Sequence, residues 1–151
     1  MFNYFFLRGI IRTDTIYDKI IFKKIRNIFG GNVIRTGTGS APINKDVLIF
    51  SRSAFACPIP ESYGQTESTF AVSGSHPLDP EIGHCGPPLE SVMIKLVDIP
   101  EMGYYAKDNK GEICCKGPTV FQGYFKQPDK TAETIDASGW LHTGDVSVEK
   151  M

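Results

Sequence analysis

Val33-Ile34-Arg35-Thr36-Gly37-Thr38-Gly39-Ser40-Ala41-Pro42 is the stretch on which the reading of the fold turns. Val33 to Thr36 reads as a short strand of mostly β-branched residues. It runs into a loop of small side chains that lets backbone approach a ligand closely. Upstream, Ile16, Tyr17, Ile20, Ile21, Ile25, Ile28 and Phe29 recur at three- and four-residue steps, with Lys19, Lys23, Lys24 and Arg26 on much of the other face. That spacing predicts an amphipathic helix, capped by Thr13 or Asp14 and ended at Gly30-Gly31. Downstream, a second helix is predicted from about Asn44 to Ala56, followed by a short strand through Cys57 to Pro60 and another loop. Helix, strand, glycine-rich loop, helix and strand make an α/β alternation, and ligands in open α/β sheets sit at the carboxyl ends of strands. Both polar loops are therefore expected at one rim.

After Gly83 the pattern changes. Met93 to Val97 and Glu112 to Lys116 read as strands, with turn chemistry at Asp108-Asn109-Lys110-Gly111 between them. Pro128 to Thr134 reads as a short helix with proline in its first turn, and Ser138-Gly139 as a turn before Trp140-Leu141-His142. The fold class is α/β, with mixed α/β layers giving way to a strand-rich β part. No internal repeat, low-complexity tract or linker divides the chain, so one domain or part of one is expected.

The 151 residues are 41% hydrophobic and 22% charged, which suits a globular chain that buries a core. A formal net charge of -1 offers none of the basic excess that draws a protein to nucleic acid or an anionic membrane. Small molecules or proteins are the expected partners. The apolar start, Met1 to Ile11, is interrupted by Arg8 and falls far short of the roughly 20 residues of a membrane span. Cys57, Cys85, Cys114 and Cys115 show no CxxC spacing. His84 adjoins Cys85, but with no second ligand pair the cysteines read as ordinary thiols of a reducing compartment. The adjacent Cys114 and Cys115 would point to opposite faces of a strand.

Three segments carry candidate chemistry. Tyr63-Gly64-Gln65-Thr66-Glu67 offers an aromatic face for a base, a hydroxyl donor for a phosphate oxygen and a carboxylate of the kind that holds magnesium. A surface loop accounts for the same residues. The loop Thr38 to Pro42 lacks the GxxxxGK pattern of a phosphate loop, and a simple chain reversal also explains it. In Thr143-Gly144-Asp145 the aspartate can accept from both hydroxyls of a ribose, or close a turn onto its own backbone. His142 has no nearby nucleophile, so packing or hydrogen bonding is its expected role rather than base catalysis.

In this order and spacing, these segments resemble the adenylate-forming superfamily of acyl-CoA synthetases, adenylation domains and luciferases. Gly83-His84-Cys85-Gly86-Pro87-Pro88, Ile94 to Asp98, Gly111 to Pro118 and Val120-Phe121-Gln122-Gly123-Tyr124 through Trp140 to Asp145 look specifically like eukaryotic long-chain fatty acyl-CoA synthetases. The likeness runs from about Asp14 to Glu149, leaving residues 1–13 unassigned.

It implies part of a large N-terminal adenylate-forming domain in which Tyr63 stacks on adenine, Thr66 contacts the α-phosphate and Glu67 binds magnesium. Asp145 would hold the ribose, and Gly39, Ser40, Ala41 and Pro42 would wall the adenine and acyl pocket. Glu61 and Ser62, with Gly64, would line the base. The family pattern has glycine where Ser62 stands, a departure that would weaken nucleotide binding if that backbone required a positive φ.

The implied reaction joins a long-chain fatty acid to coenzyme A through an acyl-adenylate, using ATP and Mg2+ and releasing AMP and pyrophosphate. Thr66 and Glu67 would be its catalytic groups in this chain. The family's upstream phosphate loop and its lysine-bearing C-terminal domain do not occur in the sequence, so the chain alone is expected not to turn over. The resemblance also implies the cytosolic face of the endoplasmic reticulum or the mitochondrial outer membrane, with membrane attachment through other parts. Two rival readings are a non-catalytic nucleotide-binding remnant and another kind of adenylation domain.

Overall fold

The computed structural model describes residues 13–147; the apolar start and Glu149 lie outside them. The described residues fall into two compact units. One comprises residues 13–62 with Ser75–Gly86, the other Tyr63–Gly74 with residues 87–147.

In the first unit, Thr15 rather than Thr13 or Asp14 starts the first helix. Its hydroxyl accepts from the Asp18 amide at 3.2 Å while Asp18 Oδ2 accepts from the Thr15 amide at 3.3 Å, a reciprocal capping pair. The helix opens with a π-helical turn, Asp18–Phe22, and continues as α1, Lys23–Ile28. It ends where the sequence predicts: Gly30 and Gly31 have φ of +81° and +74°, and their amides donate to Asn27 and Arg26 carbonyls.

The helix's face differs from the reading. Ile16, Ile20, Ile21, Ile28 and Phe29 are exposed, and the buried residues are Asp18 and Phe22. The wider π turn shifts the phase of the helix. Arg26 also ties it down from its polar side, donating to Asp18 Oδ1 and to the Ala54 carbonyl, each at 3.0 Å.

Val33 to Thr36 does not form a regular strand. The segment is extended and its amides run alongside 58–62: Thr36 donates to Pro58, Thr38 to Pro60, and Ser62 back to Thr38. The two segments are joined by one parallel bridge, Thr38↔Glu61. The second helix, α2, spans Lys45–Phe55. Asn44 caps it by accepting from the Asp46 and Val47 amides, and Ala56 ends it in a left-handed conformation. Leu48, Cys57 and Ile59 form the core of this unit, with Val33, Ile43, Phe55 and Ile82 packed against them.

The second unit begins at Tyr63, the last residue of the short strand β1 (Ser62–Tyr63), whose carbonyl accepts from the Val72 amide next to β2 (Ser73–Gly74). Its larger sheet is antiparallel, in the order β3 (Met93–Val97), β4 (Gly111–Lys116), β5 (Leu141–Ser147). The two strands and the turn expected around residue 110 are present, with Asn109 left-handed at φ 56°. The short helix is also where proline places it, as α3, Pro128–Thr134. Val72, Val92, Cys115 and Leu141 make the core, flanked by Tyr63, Ile94, Val120, Phe121 and Ile135. Cys114 and Cys115 do face opposite sides of β4, and both are buried.

Candidate functional site

In the first unit the loop residues Gly39, Ser40, Ala41 and Pro42 are all exposed. The positive φ in this loop falls on Ser40, at 68°, and not on its glycines. Gly39 is small for a different reason: a Cβ there would come within 3.0 Å of both the Ser62 carbonyl oxygen and Oγ.

Ser62 is extended strand, outside the positive-φ residues, so the strain that a glycine-to-serine departure could bring does not arise. Its hydroxyl donates to the Thr38 carbonyl at 3.2 Å, stitching the loop to β1. Glu61 is buried and engaged throughout. Its amide donates to Ser75 Oγ, its carbonyl accepts from the Ser75 amide, and its carboxylate accepts from the Gly83 amide at 2.8 Å.

In the second unit, Tyr63 and Asp145 meet across 82 residues of sequence. The Tyr63 hydroxyl donates to Asp145 Oδ2 at 2.8 Å. The Tyr63 amide side of the chain is held by β1, with the Val72 amide donating to its carbonyl at 2.8 Å. Burial holds the Tyr63 phenol well above its ordinary range, and the Asp145 carboxylate pushes it the same way. The tyrosine is therefore a neutral, fixed donor at physiological pH. Asp145 lies within β5, exposed, and its Oδ1 makes no hydrogen bond to a described residue. That oxygen is available to a hydroxyl.

Gly64 sits where only glycine fits, because a Cβ would run into the Phe70 carbonyl and the Ala71 backbone. Beyond it, Thr66–Ser68 is a single 3-10 turn, clasped by Gln65 and Ser68: the Gln65 amide donates to Ser68 Oγ, which donates back to the Gln65 carbonyl. This turn presents Thr66 to solvent and sets Glu67 half-buried beside it.

Glu67 has a partner that sequence reading missed. The Tyr124 hydroxyl donates to Glu67 Oε1 at 2.7 Å, and the Phe121 amide donates to the Glu67 carbonyl at 2.8 Å. Tyr124 is itself fixed by its amide, which donates to Thr131 Oγ1 on α3, and by an edge-on contact with the Phe121 ring at 4.8 Å. Donation to Glu67 raises the Tyr124 phenol above its ordinary range. Glu67 Oε2 is left without a partner among the described residues. A carboxylate with one oxygen anchored and one open suits magnesium, which commonly takes single oxygens from one or two carboxylates and completes its shell with phosphate and water.

His142 takes the hydrogen-bonding role expected of it. Its Nδ1 lies 2.8 Å from Glu112 Oε2 and its Nε2 lies 3.8 Å from Asp136 Oδ2. Cys114 Sγ is 3.4 Å from the same Nδ1. Burial, with Glu112 adding to it, pushes the Cys114 thiol up to about 12.

The YGQTE and TGD segments thus carry an anchored carboxylate, an aromatic donor and an open aspartate oxygen. The AMP-binding enzyme family matches residues 11–125, and this chain belongs to that family. Among its relatives, long-chain-fatty-acid–CoA ligase 1 of Cavia porcellus is 51% identical over 138 residues, and the same ligase of Homo sapiens is 49% identical. Each alignment covers 91% of this chain and 20% of the relative, so the chain spans about one fifth of the ligases it matches. A solved neighbour is the A domain of a carboxylic acid reductase from Segniliparus rugosus, in complex with AMP and a co-purified carboxylic acid. It superposes with a TM-score of 0.68 at 29% identity, covering 99% of this chain and 24% of that one.

Proposed function

We propose that this chain carries the nucleotide- and magnesium-binding portion of a long-chain fatty acid–CoA ligase. The observation that carries the reading is the 2.8 Å bond from Tyr63 to Asp145, which brings the base-stacking and ribose-holding candidates together from opposite ends of the sequence. Asp145 Oδ1 accepts from a ribose hydroxyl while Tyr63, tied to Oδ2, keeps the carboxylate from swinging away. The Tyr63 ring offers its face to adenine. By the family likeness, Gly39, Ser40, Ala41 and Pro42 would wall the base and acyl chain, and Glu61, Ser62 and Gly64 would line the base by backbone. Thr66 donates to an α-phosphate oxygen.

Glu67, its Oε1 anchored by the Tyr124 hydroxyl, would hold Mg2+ by its open carboxylate oxygen. When bound, the ion neutralises charge on the phosphate oxygens during attack by the fatty carboxylate. In the complete reaction that attack forms acyl-adenylate and releases pyrophosphate; the thiol of coenzyme A then displaces AMP to give acyl-CoA. No covalent enzyme intermediate is required. We place the protein in a reducing intracellular compartment, as the family likeness implies.

Calorimetric titration of the purified chain with AMP and with a non-hydrolysable acyl-adenylate mimic tests this function. Saturable binding that weakens about tenfold in Asp145→Asn is expected, as for the loss of one hydrogen bond to a charged group. No saturable binding to either ligand, or wild-type affinity in the variant, overturns the reading.

A further inference from the structure

Glu112, Cys114 and His142 form a cluster that the nucleotide chemistry does not use. Its origin is topological. Glu112 and Cys114 are two residues apart on β4 and so project from one face, and Cys114 stands directly opposite His142 on β5. The register shifts between Glu112, which pairs with Val146, and Cys114. His142 Nδ1 lies 2.8 Å from Glu112 Oε2 and 3.4 Å from Cys114 Sγ, and the sulfur lies 3.9 Å from that oxygen. These are the three donors grouped within 4.8 Å of one another among the described residues.

The spacings match a borderline cation. Tetrahedral zinc with bonds of about 2.0–2.3 Å separates its donors by roughly 3.3–3.6 Å. Glu112 and His142 would part by about half an ångström, and the sulfur would close on the carboxylate by about a third. The donors also have the outer partners that such ligands use. Glu112 Oε1 accepts from the Gly144 amide at 3.1 Å, and the Asp136 carboxylate lies 3.8 Å from His142 Nε2, at ion-pair distance. Asp136 is held in turn, its Oδ1 accepting from the Ser138 and Trp140 amides at 2.8 and 2.9 Å. The Glu112–His142 pair alone has no need of a thiol, yet the thiol's recorded polar contacts are with these two residues.

We propose that Glu112, Cys114 and His142 bind Zn2+, with Glu112 Oε2, Cys114 Sγ and His142 Nδ1 filling three tetrahedral positions and water the fourth. The thiol gives up its proton to solvent on binding. Thiolate, carboxylate and neutral imidazole then sum to a charge that cancels the ion's. Nothing is oxidised or reduced. The ion clasps β4 to β5 beside Gly144, and its soft sulfur donor discriminates against Mg2+ and Ca2+. This site shares no residue with the proposed nucleotide site and stands whether or not that function holds.

Co2+ serves as the spectroscopic probe. The reduced, chelator-treated chain is titrated with Co2+ and followed by absorption, and Zn2+ is then added. Expected are a sulfur-to-cobalt charge-transfer band and the strong visible bands of a four-coordinate ion, saturating at one equivalent and bleached by Zn2+. Cys114→Ser removes the charge-transfer band, whereas Cys85→Ser, at the exposed thiol, leaves it. Asp136→Asn keeps all three ligands and the turn-capping oxygen, so its band survives with affinity reduced about ten- to hundredfold. A chain with no charge-transfer band, or a band that persists in Cys114→Ser and disappears in Cys85→Ser, overturns the proposal. Unchanged affinity in Asp136→Asn removes the outer partner from it.

Discussion

Tyr63 and Cys114 give the protein an alkaline limit. Both groups are pushed up in the folded chain, chiefly by burial, Cys114 from an ordinary 9.0 to about 12. A raised acid favours the protonated form of the folded state. The folded state's advantage is therefore complete below the unfolded pKa and declines once the unfolded chain can release its proton and the folded chain cannot. Stability of the metal-free chain is expected to hold to about pH 9 and to fall steadily from there toward 12, measured as the urea midpoint against pH. Cys114→Ser should flatten the lower part of that decline; an unchanged profile in this variant would assign it elsewhere. At this scale much was readable beforehand. Asn44, Gly30 and Pro128 act by local backbone chemistry and do what their types predict. Tyr124 was not readable in this way, because its bond to Glu67 spans 57 residues and no local spacing announces it.

The second helix shows how an element imposes demands beyond its own pattern. Arg52 on α2 is buried, and its guanidinium donates to the Ile59 carbonyl through Nε at 3.2 Å and Nη2 at 3.0 Å. A third donor, Nη1, reaches the Asp79 carbonyl at 3.4 Å. Burial lowers its pKa, with Glu61 and Asp79 opposing that effect, and an arginine remains charged throughout. The side chain thus fastens the segment that leads into Glu61. Arg52→Ala is expected to cost about 2–3 kcal/mol by chemical denaturation, through carbonyls left without their charged donor. A loss below about 0.5 kcal/mol would show that these bonds are replaced by water. The first helix teaches the converse. Its three- and four-residue apolar spacing correctly marks a helix, yet a π turn and the Arg26 contacts decide which side is buried.

For the molecule as a whole, the apolar residues left at the surface set its behaviour in solution. Ile28 is 80% exposed, and Ile16, Ile20, Phe29 and Phe50 are each more than half exposed, all within the first unit. Large apolar side chains left exposed in this number favour association when nothing covers them. The chain is expected to self-associate at micromolar concentration in sedimentation experiments, and Ile20→Glu with Ile28→Lys should shift it toward monomer. A wild-type chain that remains monomeric would refute this.

Sequence alone determined the helices, the strands about Met93–Val97 and Glu112–Lys116, the glycine stop at Gly30-Gly31, the turn at Asn109 and the family likeness, because these depend on residue chemistry within a few positions of chain. The tertiary structure alone decided three things: that Ser62 needs no positive φ, that Tyr124 anchors Glu67, and that the pairing of β4 with β5 gathers Glu112, Cys114 and His142. Each rests on contacts between residues far apart in sequence or on a backbone angle, and only packing fixes those.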